Sequence, residues 1–374
     1  MPVTSSTARR IEGLDLLRGI AILLVIVRHS WPDVFGGAGI VGVVTFFALS
    51  GYLITGLLVD DLRRYGRVRY GRFYFHRAVR LLPALAMMLV VFAMVDGVFD
   101  WTGRQDLVPR SLLLGITYTM NIPGTGETNG AVNHLWTLAT EEQFYLVWPL
   151  VLVLGIRLRK LRLAVIASGT VLLVALGTSL LVVAPGYDRV YAWPTTWAVS
   201  MVIGAAAQLG KRKVMDILDR SSRRARMSAG MALGCIVLLS FAPDAKSQWW
   251  LYFVLGLLTS AATVVLIFFL TRWEIIPVPW LRPLLWLGII SYAAYLWNKP
   301  IVVWLAEADL GDAGPLLSAA ATLVAATISW YAVERPANRL RKKLDSRSQA
   351  DSVGVATHVG THSKAGSSEH GVSS

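Results

Sequence analysis

The stretch RGIAILLVIVRHS, residues 18–30, is an apolar run that begins with an arginine and ends with an arginine, a histidine and a serine. Charged side chains are costly in lipid, so a segment that served only as a membrane anchor would lack them. Arg18 and His29 are separated by close to three helical turns, which predicts that both side chains lie on one helix face, about 16 Å apart. We interpret the stretch as a transmembrane helix with a functional polar face.

The rest of the chain repeats this apolar character. Of its 374 residues, 55% are hydrophobic and only 16% are charged, and apolar residues recur in blocks about twenty long, the length that crosses a bilayer. This composition predicts an all-α fold, a polytopic membrane helix bundle of about ten transmembrane helices. The candidate spans lie near residues 14–31, 39–60, 81–99, 135–156, 163–183, 190–210, 227–243, 249–270, 283–303 and 314–333. The block at 109–120 is short for a span and is interpreted as a re-entrant or surface-lying segment.

The net charge of +13 would suit nucleic acid if the basic residues formed one patch, but they lie between the spans. With a cytoplasmic N-terminus, the inside segments hold 29 of the 36 Lys and Arg residues, as the positive-inside rule requires. We therefore expect a protein of the cytoplasmic membrane with both termini cytoplasmic and no nucleic-acid partner. Residues 1–10 form the N-terminus, 11–340 the membrane domain, and 341–374 a disordered tail rich in Ser, Gly and His.

The first group that could carry chemistry is Asp15, Arg18 and His29. An ion pair between Asp15 and Arg18 near the inner interface is the plain structural interpretation. It leaves His29 unexplained, because an imidazole inside a span needs a polar surrounding. Histidine is the usual general base near neutral pH, so we interpret His29 as functional.

The second group lies in NHLWTLATEEQFYLVWP, residues 133–149. At helical spacing His134, Glu141 and Tyr145 share one face. A carboxylate at this depth is costly unless it is paired or shares a proton. We expect Glu141 to have such a role; the alternative is a purely structural pair with an arginine or histidine of another helix.

The third group is the loop RRYGRVRYGRFYFHRAVR, residues 63–80, which holds seven arginines among aromatic residues. It fits membrane topology or attraction to anionic lipid without any ligand. Arginine also binds phosphates through its planar fork, so Arg77 and Arg80, three residues apart on a starting helix, could hold a pyrophosphate together. In FFALSGYLI, residues 46–54, we interpret Ser50 as a helix-packing residue.

Five stretches follow the order of a known family. They are LDLLRGIAILLVIVRH, FFALSGYLI, the Arg-x-x-Arg of residues 77–80 followed by LLP, HLWTLATEEQFYLVWP, and ISYAAYLWNKPIV with a later ERP. Over about residues 10–340 the chain resembles the acyltransferase 3 family of integral membrane O-acyltransferases. The resemblance implies transfer of an acyl group, usually acetyl, from cytoplasmic acyl-CoA to a hydroxyl of an extracytoplasmic glycan or of a secondary metabolite such as a macrolide.

The resemblance implies roles by position. His29 and Glu141 are the expected catalytic residues, Arg18 is the partner of the histidine, and Arg77 and Arg80 belong to the CoA site. Substrate binding by His134 and Tyr145 and support from Asp15, Glu142, Trp136 and Asn298 complete the expected site. Thr137 stands where the family usually has Ser, and Asn298 where it commonly has His, which puts any acid–base role of that position in doubt. The expected partners are acyl-CoA as donor substrate, the acceptor and the bilayer, with no metal and no bound cofactor.

Two chemical routes stay open at this point. His29 could deprotonate the acceptor hydroxyl or could form a transient acyl-imidazole, with Glu141 orienting or protonating the histidine or the acceptor. The leading alternative function is a proton-coupled transporter or flippase that uses His29 and Glu141 as a proton relay. Broken spans in matching halves would favour a transporter, and the sequence has no such pairing. A scaffold protein would leave both residues unexplained.

Overall fold

The structure, a computed structural model, describes residues 11–219, 222–308 and 310–341, with side chains described outside 216–222. Every regular element in these ranges is helical, so the prediction of an all-α fold is confirmed. The expectations for residues 1–10 and for the tail beyond 341 lie outside the described residues. The helices are α1 (Glu12–Ser30), α2 (Ala38–Tyr65), α3 (Tyr70–Val95), α4 (Val108–Ile116), α5 (Trp136–Arg157), α6 (Leu161–Val183), α7 (Val199–Asp219), α8 (Ser222–Ser240), α9 (Trp249–Leu270), α10 (Arg282–Ile289), α11 (Ser291–Ala306) and α12 (Gly314–Ser329).

Within the described ranges, five helical segments are long and apolar enough to cross a membrane by length and composition. They are α2, α3, α6, α9 and the continuous run Gly311–Arg341 that contains α12. Helices α1 and α5 are not among them, and these two carry the charged residues Arg18 and Glu141. The protein is thus a helical membrane protein, and the count of ten spans stays a prediction.

Three predictions about where the helices lie are wrong. The span expected at 190–210 begins only at Val199, because Pro194 keeps the preceding residue out of helical geometry and residues 191–198 form turns. The span expected at 283–303 is two helices that meet at Ile290, a break that the continuous apolar pattern does not reveal. The arginine-rich stretch 63–80 is mostly not a loop, since α3 begins at Tyr70 and carries Arg77 and Arg80.

Helix α1 lies at the centre of the bundle, packed against α2, α9, α10, α11 and α12. The backbones of α1 and α10 pack directly against each other at two glycines. A Cβ atom at Gly288 would lie 1.8 Å from the carbonyl oxygen of Asp15, and one at Gly19 would lie 2.0 Å from that of Leu284. Only glycine permits this distance, so these two residues fix the position of the helix that carries Arg18 and His29.

We expect Gly288→Ala to force α10 away from α1. Overpacking of this kind costs about 1–3 kcal/mol, so the purified protein in detergent should lose its monodisperse elution at a lower temperature. Gly177→Ala on α6 is the matched control, because a Cβ there meets no atom within 4 Å. Equal thermal stability of the two variants would contradict the packing argument.

Candidate active site

Two adjoining cavities lie inside the bundle. The histidine cavity, of about 330 Å³, is lined by His29, His134, Trp136, Tyr191 and Lys299 among others. The arginine cavity, of about 180 Å³, is lined by Arg18, Arg77, Arg80, Ser50, Glu141 and Tyr145 among others. Val43, Thr137 and Tyr295 line both, so they form the wall between the cavities. The predicted site residues therefore divide into two groups rather than one.

His29 is held from behind by a chain of hydrogen bonds. The Thr322 hydroxyl donates to the Ser318 carbonyl at 2.7 Å, so it accepts from the Asn298 amide nitrogen at 3.2 Å. This orientation turns the Asn298 amide oxygen toward His29 Nδ1, at 2.5 Å. An amide oxygen only accepts hydrogen bonds, so Nδ1 carries the proton. In the neutral ring Nε2 then has a free lone pair, which is the form that a general base or a nucleophile requires.

Asn298 therefore has a defined place although it departs from the family pattern. It is fully buried on α11, and its two hydrogen bonds use both ends of its amide. A histidine at this position could exchange a proton with His29, whereas an amide holds the ring without taking its proton. Asn298 is a positioning residue in this geometry.

Two of the three residues that form the wall between the cavities carry hydroxyl groups. Tyr295 on α11 donates to the backbone carbonyl of His134 at 2.7 Å, and its oxygen lies 2.5 Å from the Thr137 hydroxyl. His134 is buried in a short 3₁₀ turn just before α5, with its ring 5.2 Å from that of Tyr295. Neither ring nitrogen of His134 makes a hydrogen bond of ordinary geometry with the described residues. Of the three residues expected on one face, His134 thus lines one cavity, while Glu141 and Tyr145 line the other.

Glu141 belongs to a network around the Arg77 guanidinium. Arg77 Nε donates to Glu142 at 2.6 Å, its Nη2 lies 3.5 Å from Glu141, and its guanidinium carbon lies 3.6 Å from the centre of the Tyr145 ring. The Ser50 hydroxyl donates to the other oxygen of Glu141 at 2.8 Å. The interpretation of Ser50 as a packing residue is therefore incomplete, because it also orients this carboxylate. No hydrogen bond joins Glu141 to His29, both of which the structure describes.

The arginines of the second cavity differ in how far they are neutralised. Arg18 forms the expected ion pair with the buried Asp15, at 2.9 Å. Arg77 is shared by two carboxylates, as described above. Arg80 is exposed to the cavity and forms no ion pair with the described carboxylates. Arg80 is accordingly the guanidinium that is most available to an anion. The sequence predicts that Arg77 and Arg80 bind a pyrophosphate together, but in this geometry Arg80 is the main candidate.

The sequence interpretation missed three residues of this site, and it gave a fourth only a packing role. Tyr295 and Thr322 had no local signal, because a single hydroxyl on an apolar helix is usually a packing residue. Lys299 stands beside Asn298 in a stretch that was quoted, and a lysine in an apolar block is a signal in itself. Ser50 was noticed, but its partner is 91 residues away.

The hydrogen-bond chain predicts the tautomer of His29. In protein with ¹⁵N-labelled histidine, Nδ1 of His29 should have the chemical shift of a protonated nitrogen and Nε2 that of an unprotonated one, with the signals assigned by their loss in His29→Gln. Asn298→Ala removes the acceptor, so both tautomers should become populated. Thr322→Val removes the group that orients the amide and should give a smaller change in the same direction. A protonated Nε2 in the unmodified protein would contradict the assignment.

The chain is similar in sequence to known proteins over most of its length. The chain is 31% identical over 356 residues to YrhL of Bacillus subtilis strain 168, named provisionally as a peptidoglycan O-acetyltransferase, with 88% of this chain and 55% of that protein covered. It is 29% identical over 364 residues to the peptidoglycan O-acetyltransferase OatA of Listeria monocytogenes, with 89% and 56% covered. It is 27% identical over 364 residues to the O-acetyltransferase OatA of Staphylococcus aureus, with 90% and 58% covered. The chain spans just over half the length of these relatives.

No solved structure matches the chain. The family model described as an acyltransferase domain matches residues 11–335, which include both cavities and every helix that lines them. The resemblance carried by the five stretches is thereby confirmed, and the chain belongs to the acyltransferase 3 family.

Proposed function

We propose that this protein transfers an acyl group, in the simplest case acetyl, from cytoplasmic acyl-CoA to a hydroxyl of an extracytoplasmic glycan. The observation that carries the proposal is the pair of adjoining cavities, one with a free guanidinium and one with the unprotonated Nε2 of His29. The names of the relatives, which include peptidoglycan O-acetyltransferases, support a glycan rather than a macrolide as the acceptor.

The donor enters from the arginine cavity in this proposal. A cavity of about 180 Å³ is smaller than the ~300–1,000 Å³ usual for whole ligands, so it suits the thioester and part of the thin pantetheine arm. The charged nucleotide stays outside the bundle, beyond the mouth of the arginine cavity. Arg80 and Arg18 then bind phosphate or stabilise the negative charge that develops on the leaving sulfur.

His29 acts from the other side of the wall. In direct transfer, Nε2 takes the proton of the acceptor hydroxyl while that oxygen bonds to the thioester carbon, the carbon–sulfur bond breaks, and CoA leaves as its thiolate. In the two-step route, Nε2 itself bonds to the carbonyl carbon, the carbon–sulfur bond breaks, and CoA leaves as its thiolate. The acceptor oxygen then bonds to that carbon, the carbon–nitrogen bond breaks, and the freed Nε2 takes the hydroxyl proton. Both routes begin from the same lone pair, and in both the acyl group must pass the Thr137–Tyr295 wall.

Glu141 has an orienting role in this scheme. It accepts from Ser50 and lies against Arg77, which are the contacts of an ionised carboxylate. An ionised carboxylate cannot donate a proton, so orientation fits these contacts better than protonation of the histidine or the acceptor. Glu141 thereby holds the side of the arginine cavity that faces the thioester.

We propose the membrane orientation on the same grounds. The arginine cavity is cytoplasmic and the histidine cavity is extracytoplasmic, because the basic residues concentrate in the segments on the Arg77 side of the bundle. Ten spans with both termini inside satisfy this arrangement. A proton-coupled transporter would not need a donor site, so acyl transfer distinguishes the two functions.

The principal test is acetyl transfer by the purified protein. With labelled acetyl-CoA and soluble peptidoglycan fragments, the unmodified protein should label the glycan, and His29→Ala should lower the rate about 100- to 10,000-fold, as loss of a general acid–base group does. His358→Ala makes the same side-chain change in the C-terminal segment that the sequence predicts to be disordered, and it should retain the rate. Activity of His29→Ala within tenfold of the parent would rule out this role of the histidine.

The arginine substitutions test the donor site. Arg80→Lys should raise KM for acyl-CoA, because an ammonium group lacks the planar fork, whereas Arg63→Lys and Arg64→Lys should change KM little. Arg77→Lys should also lower thermal stability, since it breaks the contacts with Glu141, Glu142 and Tyr145. The titrations use neutral detergent at fixed ionic strength, which removes any contribution from anionic lipid. Equal, small changes of KM at all four positions would mean that these arginines only interact with lipid.

A further inference from the structure

The cations that face the histidine cavity are not equally neutralised. Arg28 forms an ion pair with Asp244 at 2.7 Å and also donates to the Gly36 carbonyl at 3.0 Å. The ammonium nitrogen of Lys246 lies 4.7 Å from the centre of the Tyr191 ring. Lys299 has no hydrogen bond or ion pair with the residues that the structure describes.

The lining residues give this cavity a positive balance. Three cations, Arg28, Lys246 and Lys299, face two carboxylates, Asp188 and Asp244. Because Arg28 already has Asp244, the unmatched charge lies among the two lysines and Asp188. A half-buried ammonium group without a partner inside a helix bundle is costly, so its presence beside this cavity points to a ligand that brings the missing negative charge.

Lys299 lies close to His29, so it could bind the negative charge of a ligand that reacts at His29. It is the residue after Asn298, whose amide oxygen holds His29 Nδ1. Asn298 thus fixes the ring from behind, while Lys299 reaches the cavity that the ring faces. A group bound by Lys299 therefore lies beside a group that reacts at His29.

Part of the cavity lining is aromatic. Trp136 and Tyr191 both line it, with their rings in edge contact at 5.5 Å. Aromatic faces with a few polar groups are typical of small-molecule sites, and the volume of about 330 Å³ suits one ring-sized unit of an acceptor. The cavity thus combines an aromatic wall, one unmatched cation and the reactive nitrogen.

We infer that the histidine cavity selects an acceptor sugar that carries a carboxylate, and that Lys299 binds this carboxylate while an adjacent hydroxyl meets His29. The inference rests on the proposed function and deepens it by naming the class of acceptor. A carboxylate fits better than a phosphate, because its single negative charge matches the one unmatched positive charge of the lining, and because Arg28 is already paired with Asp244. Lys299 is a specificity-determining residue in this assignment.

Two ligands that differ only in charge test the selection. They are the methyl glycoside of N-acetylmuramic acid and the methyl ester of the same compound. Binding to the full chain in neutral detergent is measured by saturation-transfer NMR titration without any acyl donor, and transfer from labelled acetyl-CoA is measured in parallel. The unmodified protein should bind the acid about tenfold or more tightly than the ester, the usual worth of a hydrogen bond to a charged group.

Substitutions of Lys299 then identify the cation. Lys299→Gln should bring the acid-to-ester ratio near one, and Lys299→Arg should keep most of the preference. Lys160→Gln, the same change in the exposed turn between α5 and α6, is the matched control and should keep the full ratio. The preference of the unmodified protein should also shrink as ionic strength rises, which provides a test that needs no variant.

The outcomes separate the two proposals. Equal binding of acid and ester by the unmodified protein, or an equal loss of both in Lys299→Gln, would overturn the inference. A preference for the acid that depends on Lys299, without acetyl transfer to either sugar, would support the inference and contradict the proposed function. Transfer to both sugars at equal efficiency would support the proposed function and contradict the inference.

Discussion

The hydrogen bond between His29 and Asn298 is the interaction on which the rest of the site depends. It joins residues 269 positions apart in the chain, on α1 and α11, inside a bundle where an unpaired polar group is costly. Because Thr322 fixes the direction of the amide, the bond sets both the orientation and the proton of the imidazole. Burial of Asn298 and Thr322 gives this small chain of three side chains its effect, since hydrogen bonds are electrostatically stronger inside a protein than in water.

Close helix packing is what allows this bond to form. Helix α1 meets α11 at its His29 end, and α10 lies against its first half through the backbone contact at Gly19 and Gly288. A larger residue at either glycine would separate α1 from α10 near Asp15 and Arg18. The two ends of α1 are therefore positioned by different neighbours, α10 beside the arginine cavity and α11 beside the histidine cavity.

Much of this arrangement could be predicted from the sequence. The apolar blocks placed most helices, because a run of about twenty apolar residues has few alternatives, and the Asp15–Arg18 pair follows from spacing on one helix. The break at Ile290 and the late start of α7 depend on local backbone geometry that hydropathy does not encode. The pairing of Ser50 with Glu141 and of Tyr295 with Thr137 joins distant segments, and one sequence does not specify such contacts.

The division of the polar residues between two cavities gives the bundle two electrostatic environments. The arginine cavity holds guanidinium groups that are partly balanced by buried carboxylates, with Arg80 left without an ion pair among the described residues. The histidine cavity also has a positive balance, but there Arg28 is paired with Asp244 and the unmatched charge includes Lys299. The wall residues between the cavities are uncharged, so they separate the two groups of charges without adding one of their own. Under the proposed function each substrate therefore meets its own set of cations, and the acyl group that passes between the cavities is itself uncharged.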